Sequence, residues 1–173
     1  MSNQSIAGGG CGLHSRDRLL GNPPGIDLKR IAIMGRSFGG YWAAKMAYVE
    51  AKRLRAAVVW GGGVHYFFQA DWLRESTNAD SYLMDHDIAR CRLFGVDSVE
   101  ELIEPWAALS LKDQGWLEKS SCSMLIVNGK NDLQTPLADL YILLEYGTPK
   151  SARVFPAVTW AKPRKPFRRS RIG

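Results

Sequence analysis

Apolar residues along this chain fall into short blocks separated by glycines and charged residues, and the blocks alternate between strand-sized and helix-sized lengths. Arg30 to Met34 is a continuous apolar run behind one charge, and it predicts a first buried strand. From Gly39 to about Ala51 the chain is apolar nearly all round, through Tyr41, Trp42, Met46 and Val49. That pattern predicts a helix covered on more than one side. Ala56 to Trp60 reads as a second buried strand, ended by Gly61-Gly62-Gly63. Met124 to Asn128 reads as a third, followed by the turn Gly129-Lys130-Asn131-Asp132. Thr135 and Pro136 are placed to open a helix as N-cap and first-turn proline, and the pattern then runs to Glu145 or Tyr146 and stops at Gly147. Ala152 to Phe155 is a fourth short strand. Strands alternating with helices imply right-handed crossovers and a parallel sheet. The expected class is therefore α/β, with about four strands flanked by helices.

Two stretches break the rhythm. Residues 1–24 hold Gly8-Gly9-Gly10 and Asn22-Pro23-Pro24 and form an irregular segment by pattern. The stretch from about 65 to 121 is too long for a simple crossover. It carries helical signals at Tyr66 to Glu75, Tyr82 to Arg92 and Val99 to Leu109, the last opened by a capping box of Ser98 with Glu101. With Trp72, Tyr82, Phe94 and Trp106 it reads as a helical lid over the carboxyl edge of the sheet. The alternative is an inert helical decoration. The organisation expected is an irregular segment at 1–24, a core at 25–156 with the lid at about 65–121, and a tail at 157–173.

Composition narrows the class. A chain of 173 residues with 46% hydrophobic content supports one domain with a sizeable core. No apolar run approaches the ~20 residues of a membrane-spanning helix. The first 24 residues lack a hydrophobic signal core, so the cytoplasm is the expected address. Cys11, Cys91 and Cys122 have no C-x-x-C spacing, which argues for reduced thiols and against a disulfide framework or a zinc site. The net charge of +6 has one source: Lys162, Arg164, Lys165, Arg168, Arg169 and Arg171 account for the whole excess of 23 basic over 17 acidic residues. These six can bind an anionic surface or nucleic acid. However, the tail has two prolines, no amphipathic period and no interleaved aromatic beyond Phe167. A solvated, disordered terminus is the expectation, with nucleic acid disfavoured as a partner.

Ser37 carries the chemistry. It sits in Gly35-Arg36-Ser37-Phe38-Gly39, between the first strand and the first helix, and in that context G-x-S-x-G is a nucleophile elbow. Such a turn lifts the hydroxyl clear of the sheet, and the Phe38 amide at the helix start can donate to an oxyanion. The competing reading is a glycine turn that only lets helix and sheet pack closely, with an incidental serine. A serine nucleophile needs a base oriented by a carboxylate, in the order Ser, Asp or Glu, His. Asp132, just past the third strand, is placed to be that acid, although Asn131 and Asp132 also suit a plain turn. Asp139 is the alternative acid, expected on the solvated face of its helix. No histidine follows Asp132. His14 lies in the irregular segment, His86 is expected on a helix surface, and His65 follows the triple glycine. Arg36, Trp60 and His65 are the expected pocket residues.

The run Gly25-Ile-Asp-Leu-Lys-Arg-Ile-Ala-Ile-Met-Gly-Arg-Ser-Phe-Gly-Gly40, with Trp60-Gly-Gly-Gly63 and Leu125-Ile-Val-Asn-Gly-Lys-Asn-Asp132, resembles the α/β-hydrolase superfamily. It is most similar to the prolyl-oligopeptidase-like branch of FrsA-type esterases and the 2,6-dihydropseudooxynicotine hydrolase. The likeness runs from about Gly25 to Pro156. It implies Ser37 as nucleophile, the Phe38 N–H as half of an oxyanion hole, Asp132 as triad acid, and no metal or cofactor. The implied substrate is a small ester, amide or ketone, cleaved through an acyl-enzyme. Two departures stand out. Little room precedes Ile31 for the strands and loop that carry the second oxyanion donor. The family's Gly-His segment falls where this chain reads Ala157 to Trp160. The expectation is a carboxyl-terminal part of such a hydrolase, truncated or frame-shifted at its end, and weakly active or inactive because the triad histidine is missing. The alternatives are a non-catalytic binding module that keeps the pocket, and an anionic-surface binder acting through Lys162 to Arg171. An exposed sheet edge also leaves room for self-association.

Overall fold

Four short strands lie side by side in the order in which the chain makes them: β1 (Ala32–Arg36), β2 (Ala56–Trp60), β3 (Ser123–Gly129) and β4 (Lys150–Phe155). All neighbours are parallel, with Met34 opposite Val58, Val58 opposite Leu125 and Leu125 opposite Ser151. The structure is a computed structural model that describes residues 25, 27–76, 85–146 and 150–156. The expected irregular segment at 1–24, the basic tail at 157–173, Cys11, His14 and Tyr82 lie outside the described residues.

Five α-helices accompany the sheet among the described residues: α1 (Phe38–Val49), α2 (Ala70–Ser76), α3 (His86–Phe94), α4 (Val99–Ala107) and α5 (Leu137–Glu145). Each strand adds on the same side of the one before it. Crossovers of one hand therefore set α1 and α5 on the same face of the sheet. Burial follows: Ala57, Val59, Met124 and Ile126 point into the core, whereas Met34 is 68% and Leu125 41% exposed on the other face. The apolar runs predict buried strands, and the described residues cover one face of the sheet. The helix expected to be covered widely is so. In α1, Gly40, Tyr41 and every residue from Ala43 to Tyr48 are buried.

Two boundaries differ from the pattern for local reasons. A 3-10 turn at Leu28–Arg30, capped by the Asp27 carboxylate accepting from the Lys29 N–H at 2.9 Å, takes Arg30 out of β1. The strand instead continues through Gly35 and Arg36, right up to the serine. Thr135 does not cap α5. Its hydroxyl donates to the Gly61 carbonyl at 3.0 Å, and Pro136 holds the cap position with no side-chain bond.

The long insertion between β2 and β3 is helical as expected. A 3-10 turn at Tyr66–Phe68 leads into α2, and α3 and α4 follow. Ser98 caps α4: its Oγ accepts from the Glu101 N–H at 3.2 Å and donates to Glu101 Oε1 at 3.1 Å. The insertion has its own apolar centre. Trp106 is 2% exposed and packs against Phe67, Phe68 and Phe94. Among the described residues no helix is long and apolar enough to cross a membrane.

Candidate active site

β1 ends at Arg36 and α1 begins at Phe38, so Ser37 alone makes the turn, at φ 57° and ψ −127°. A non-glycine residue held there stores about 1–3 kcal/mol of backbone strain. Two hydrogen bonds hold it: the Ser37 N–H donates to the Trp60 carbonyl at 2.8 Å, and the Gly40 N–H donates to the Ser37 carbonyl at 2.7 Å. Close approach explains two of the glycines. A Cβ on Gly35 would lie 1.8 Å from the Gly39 carbonyl oxygen, and one on Gly40 would lie 2.9 Å from Gly62 Cα. Gly39 itself faces open space, so the crowding is not at the second glycine of the motif. The Phe38 N–H is in the first turn of α1, where no carbonyl of the helix can accept it. It lies at the end of the helix that favours negative charge.

β3 is parallel to β1, so Asp132, just beyond its carboxyl end, lies at the same edge of the sheet as Ser37. The carboxylate is buried. Its Oδ1 accepts the N–H groups of Gln134 at 2.8 Å and Thr135 at 3.1 Å, which fixes the group. Its Oδ2 is buried with no partner among the described residues.

Ser37 opens on a cavity of about 210 Å³. Phe38, Phe67, Leu93 and Trp106 give it apolar walls, His86 and Arg90 line it from α3, and Gln134 and Thr135 close it from the loop that Asp132 grips. His86, expected on a helix surface, therefore faces this cavity. Burial holds its imidazole below the ordinary value, Arg90 adds to that, and Asp87 and Gln134 oppose it. Among the described residues no group of three or more His, Cys, Asp or Glu side chains is placed to hold a metal ion.

Arg36, Trp60 and His65 do not line that cavity. Trp60 contributes the carbonyl that holds Ser37. His65 turns to the insertion: Nδ1 lies 2.8 Å from Ser110 Oγ and 3.7 Å from the Asp113 carboxylate. Burial lowers its pKa, with Asp113 opposing. Asp139 corrects another expectation, since it is fully buried rather than solvated. Its Oδ1 accepts the N–H groups of His65 and Tyr66, both at 2.8 Å, and its Oδ2 accepts that of Phe67 at 2.9 Å. Burial nevertheless pushes its carboxyl up to about 6, against the pull of those N–H groups. Asp139 is thus a tie between α5 and the first turn of the insertion. Sequence reasoning passed over Arg90 and Gln134. The only signal for them was their place in an apolar insertion and beside a buried acid.

The FrsA-like esterase family, described as "Esterase FrsA-like", matches residues 11–155 of the chain. Among curated relatives, the esterase FrsA of Photorhabdus laumondii is 30% identical over 125 residues, which are 72% of this chain and 28% of that protein. The esterase FrsA of Salmonella paratyphi B is 35% identical over 122 residues, 69% of this chain and 28% of that protein. Among solved structures, a 2,6-dihydroxy-pseudo-oxynicotine hydrolase superposes with a TM-score of 0.67 at 26% identity, covering 84% of this chain and 38% of the other. Acetyl xylan esterase 1 of Thermoanaerobacterium, with a TM-score of 0.56 at 20% identity over 81% of this chain and 43% of its own, shares the fold. This chain spans little more than a quarter of the length of the curated relatives it matches. With four parallel strands, five helices and a strand–serine–helix turn that matches part of the α/β-hydrolase fold, the chain belongs to the FrsA-like esterase family.

Proposed function

We propose that this chain carries the nucleophile and the acid of a serine hydrolase that cleaves a small ester, an amide or the activated C–C bond of a ketone. The observation that carries the reading is Ser37 held at positive φ between β1 and α1, open to an apolar cavity, with the buried Asp132 at the same sheet edge. In the proposed reaction Ser37 Oγ attacks the substrate carbonyl. The Phe38 N–H donates to the oxygen that becomes negative. An acyl-serine forms as the leaving group departs with the proton of the serine hydroxyl, and attack by water then releases the acid and restores that hydroxyl. The insertion acts as the lid, with Trp106 and Phe67 keeping water from the apolar side of the cavity.

The base is the weak part of this arrangement. Asp132 Oδ2 has no imidazole against it among the described residues, and no histidine follows Asp132 in the sequence. Turnover by this chain is therefore expected on the order of 10⁴ to 10⁶ below that of a complete triad. The reading is tested with p-nitrophenyl acetate under stopped flow. A slow burst of p-nitrophenolate is expected, absent in Ser37→Ala and slower in Asp132→Asn. An equal burst from all three proteins overturns the proposal.

The vacant Oδ2 favours one other reading, a binding module that keeps the pocket without the chemistry. It predicts that Ser37→Ala binds a small acyl ligand as tightly as the parent and that neither protein acylates.

A further inference from the structure

We infer that Arg90 makes the Ser37 cavity a receptor for substrates bearing a carboxylate, gripped side-on by Nε and Nη2. The inference rests on the cavity being the substrate pocket proposed above, and it names the class of molecule that fits.

Arg90 stands on α3, is 5% exposed, and lines the cavity. Its guanidinium carbon lies 4.9 Å from the Trp106 ring centroid and 5.4 Å from that of Phe67, so two aromatic rings pack against the group. Nη1 donates to Ser76 Oγ at 3.2 Å, and that hydroxyl in turn donates to the Leu73 carbonyl at 3.1 Å. The group is thus held by contact with two rings and by one hydrogen bond. Nε and Nη2 remain, both buried and both without an acceptor among the described residues. Burial lowers the pKa to about 10, which leaves the group charged at neutral pH. A buried cation with two idle donors is costly unless an acceptor arrives, so such a group asks for a ligand.

The fold itself displays the ligand that suits these two nitrogens. On the surface, Arg74 uses the same pair on the Glu100 carboxylate, Nε at 3.0 Å to Oε1 and Nη2 at 2.9 Å to Oε2. In Arg90 that fork is vacant. Among the described residues no Asp or Glu lines the cavity to fill it, and Asp87, the acid whose field reaches it, makes no bond to either nitrogen. The rest of the lining is largely apolar. The occupant that meets both demands is a small acyl or aryl molecule with a planar carboxylate, its apolar body against Phe38 and Leu93. A lysine cannot supply this fork.

Isothermal titration calorimetry of the full chain with phenylacetate and with its neutral isostere phenylacetamide tests the assignment. The parent is expected to prefer the carboxylate by about tenfold or more. Arg90→Met loses the preference, and Arg90→Lys, which keeps the charge, loses most of it. Near-UV circular dichroism checks each fold, and the lysine variant decides if the methionine variant does not fold. Equal affinity of the parent for both probes, no saturable binding of phenylacetate in the millimolar range, or a preference that survives in a folded Arg90 variant overturns the assignment. Ser37→Ala is expected to keep the carboxylate preference, so failure of the hydrolase reading and failure of this one are separable.

Discussion

The ring of Phe38, the residue after the elbow serine, lies nearly parallel to the indole of Trp106, with planes 13° apart and centroids separated by 5.8 Å. This stack is where the insertion meets the elbow. The same indole donates from Nε1 to the Phe67 carbonyl at 3.1 Å. Trp106→Ala removes the stack, the hydrogen bond and a large buried volume, and is expected to cost about 3–5 kcal/mol of stability. Urea denaturation of parent and variant checks this. A variant within about 1 kcal/mol of the parent, well under the usual cost of emptying a core position, contradicts it.

The glycines of the elbow are expected to differ in a way their spacing does not reveal. Gly35→Ala drives a methyl group into the Gly39 carbonyl and must move the turn or the helix, so a large loss of stability and of Ser37 reactivity follows. Gly39→Ala meets open space within α1 and gains helix propensity, up to about 1 kcal/mol. Thermal unfolding of the pair gives the comparison. Equal loss in both variants contradicts the account of the turn.

Asp139 gives the fold a dependence on pH. Its carboxyl is raised from the ordinary 3.8 to about 6 in the fold. Between those values the folded chain holds a proton that the unfolded chain has released. The contribution of this group to stability is therefore greatest below about 3.8 and declines as pH rises toward about 6. Asp139→Asn is expected to flatten that slope. It also lowers stability throughout, because the amide cannot accept all three N–H groups of His65, Tyr66 and Phe67. Denaturation midpoints across that interval check both effects. An unchanged slope in the variant rules this assignment out.

The parts of the fold that were legible in the sequence are local. Ser37 could be placed because an apolar run, a pair of glycines and a second apolar run specify strand, turn and helix within a short window. The same holds for β2, β3 and the Ser98 cap. Asp139 was misjudged because its burial depends on N–H groups some seventy residues earlier, which no periodicity in its own helix reports. Thr135 was read as a cap because Thr-Pro suits one, yet its hydroxyl is claimed by the Gly61 carbonyl across the sheet edge. His86 and Arg90 follow the same rule. Their helix has little apolar periodicity, and only the packing of the insertion against Phe38 shows that they face the serine. The strands read as buried because their apolar runs are continuous. That the described residues cover only one face follows from the order of the strands, which a single strand does not disclose.

The identity of the nucleophile is open to one direct measurement: incubation with a small fluorophosphonate at mildly alkaline pH, followed by intact-mass analysis and peptide mapping. One adduct on Ser37 is predicted, forming slowly because Asp132 Oδ2 has no imidazole against it among the described residues, and absent from Ser37→Ala. An adduct that persists in Ser37→Ala, or prolonged exposure that leaves Ser37 unmodified, contradicts the account.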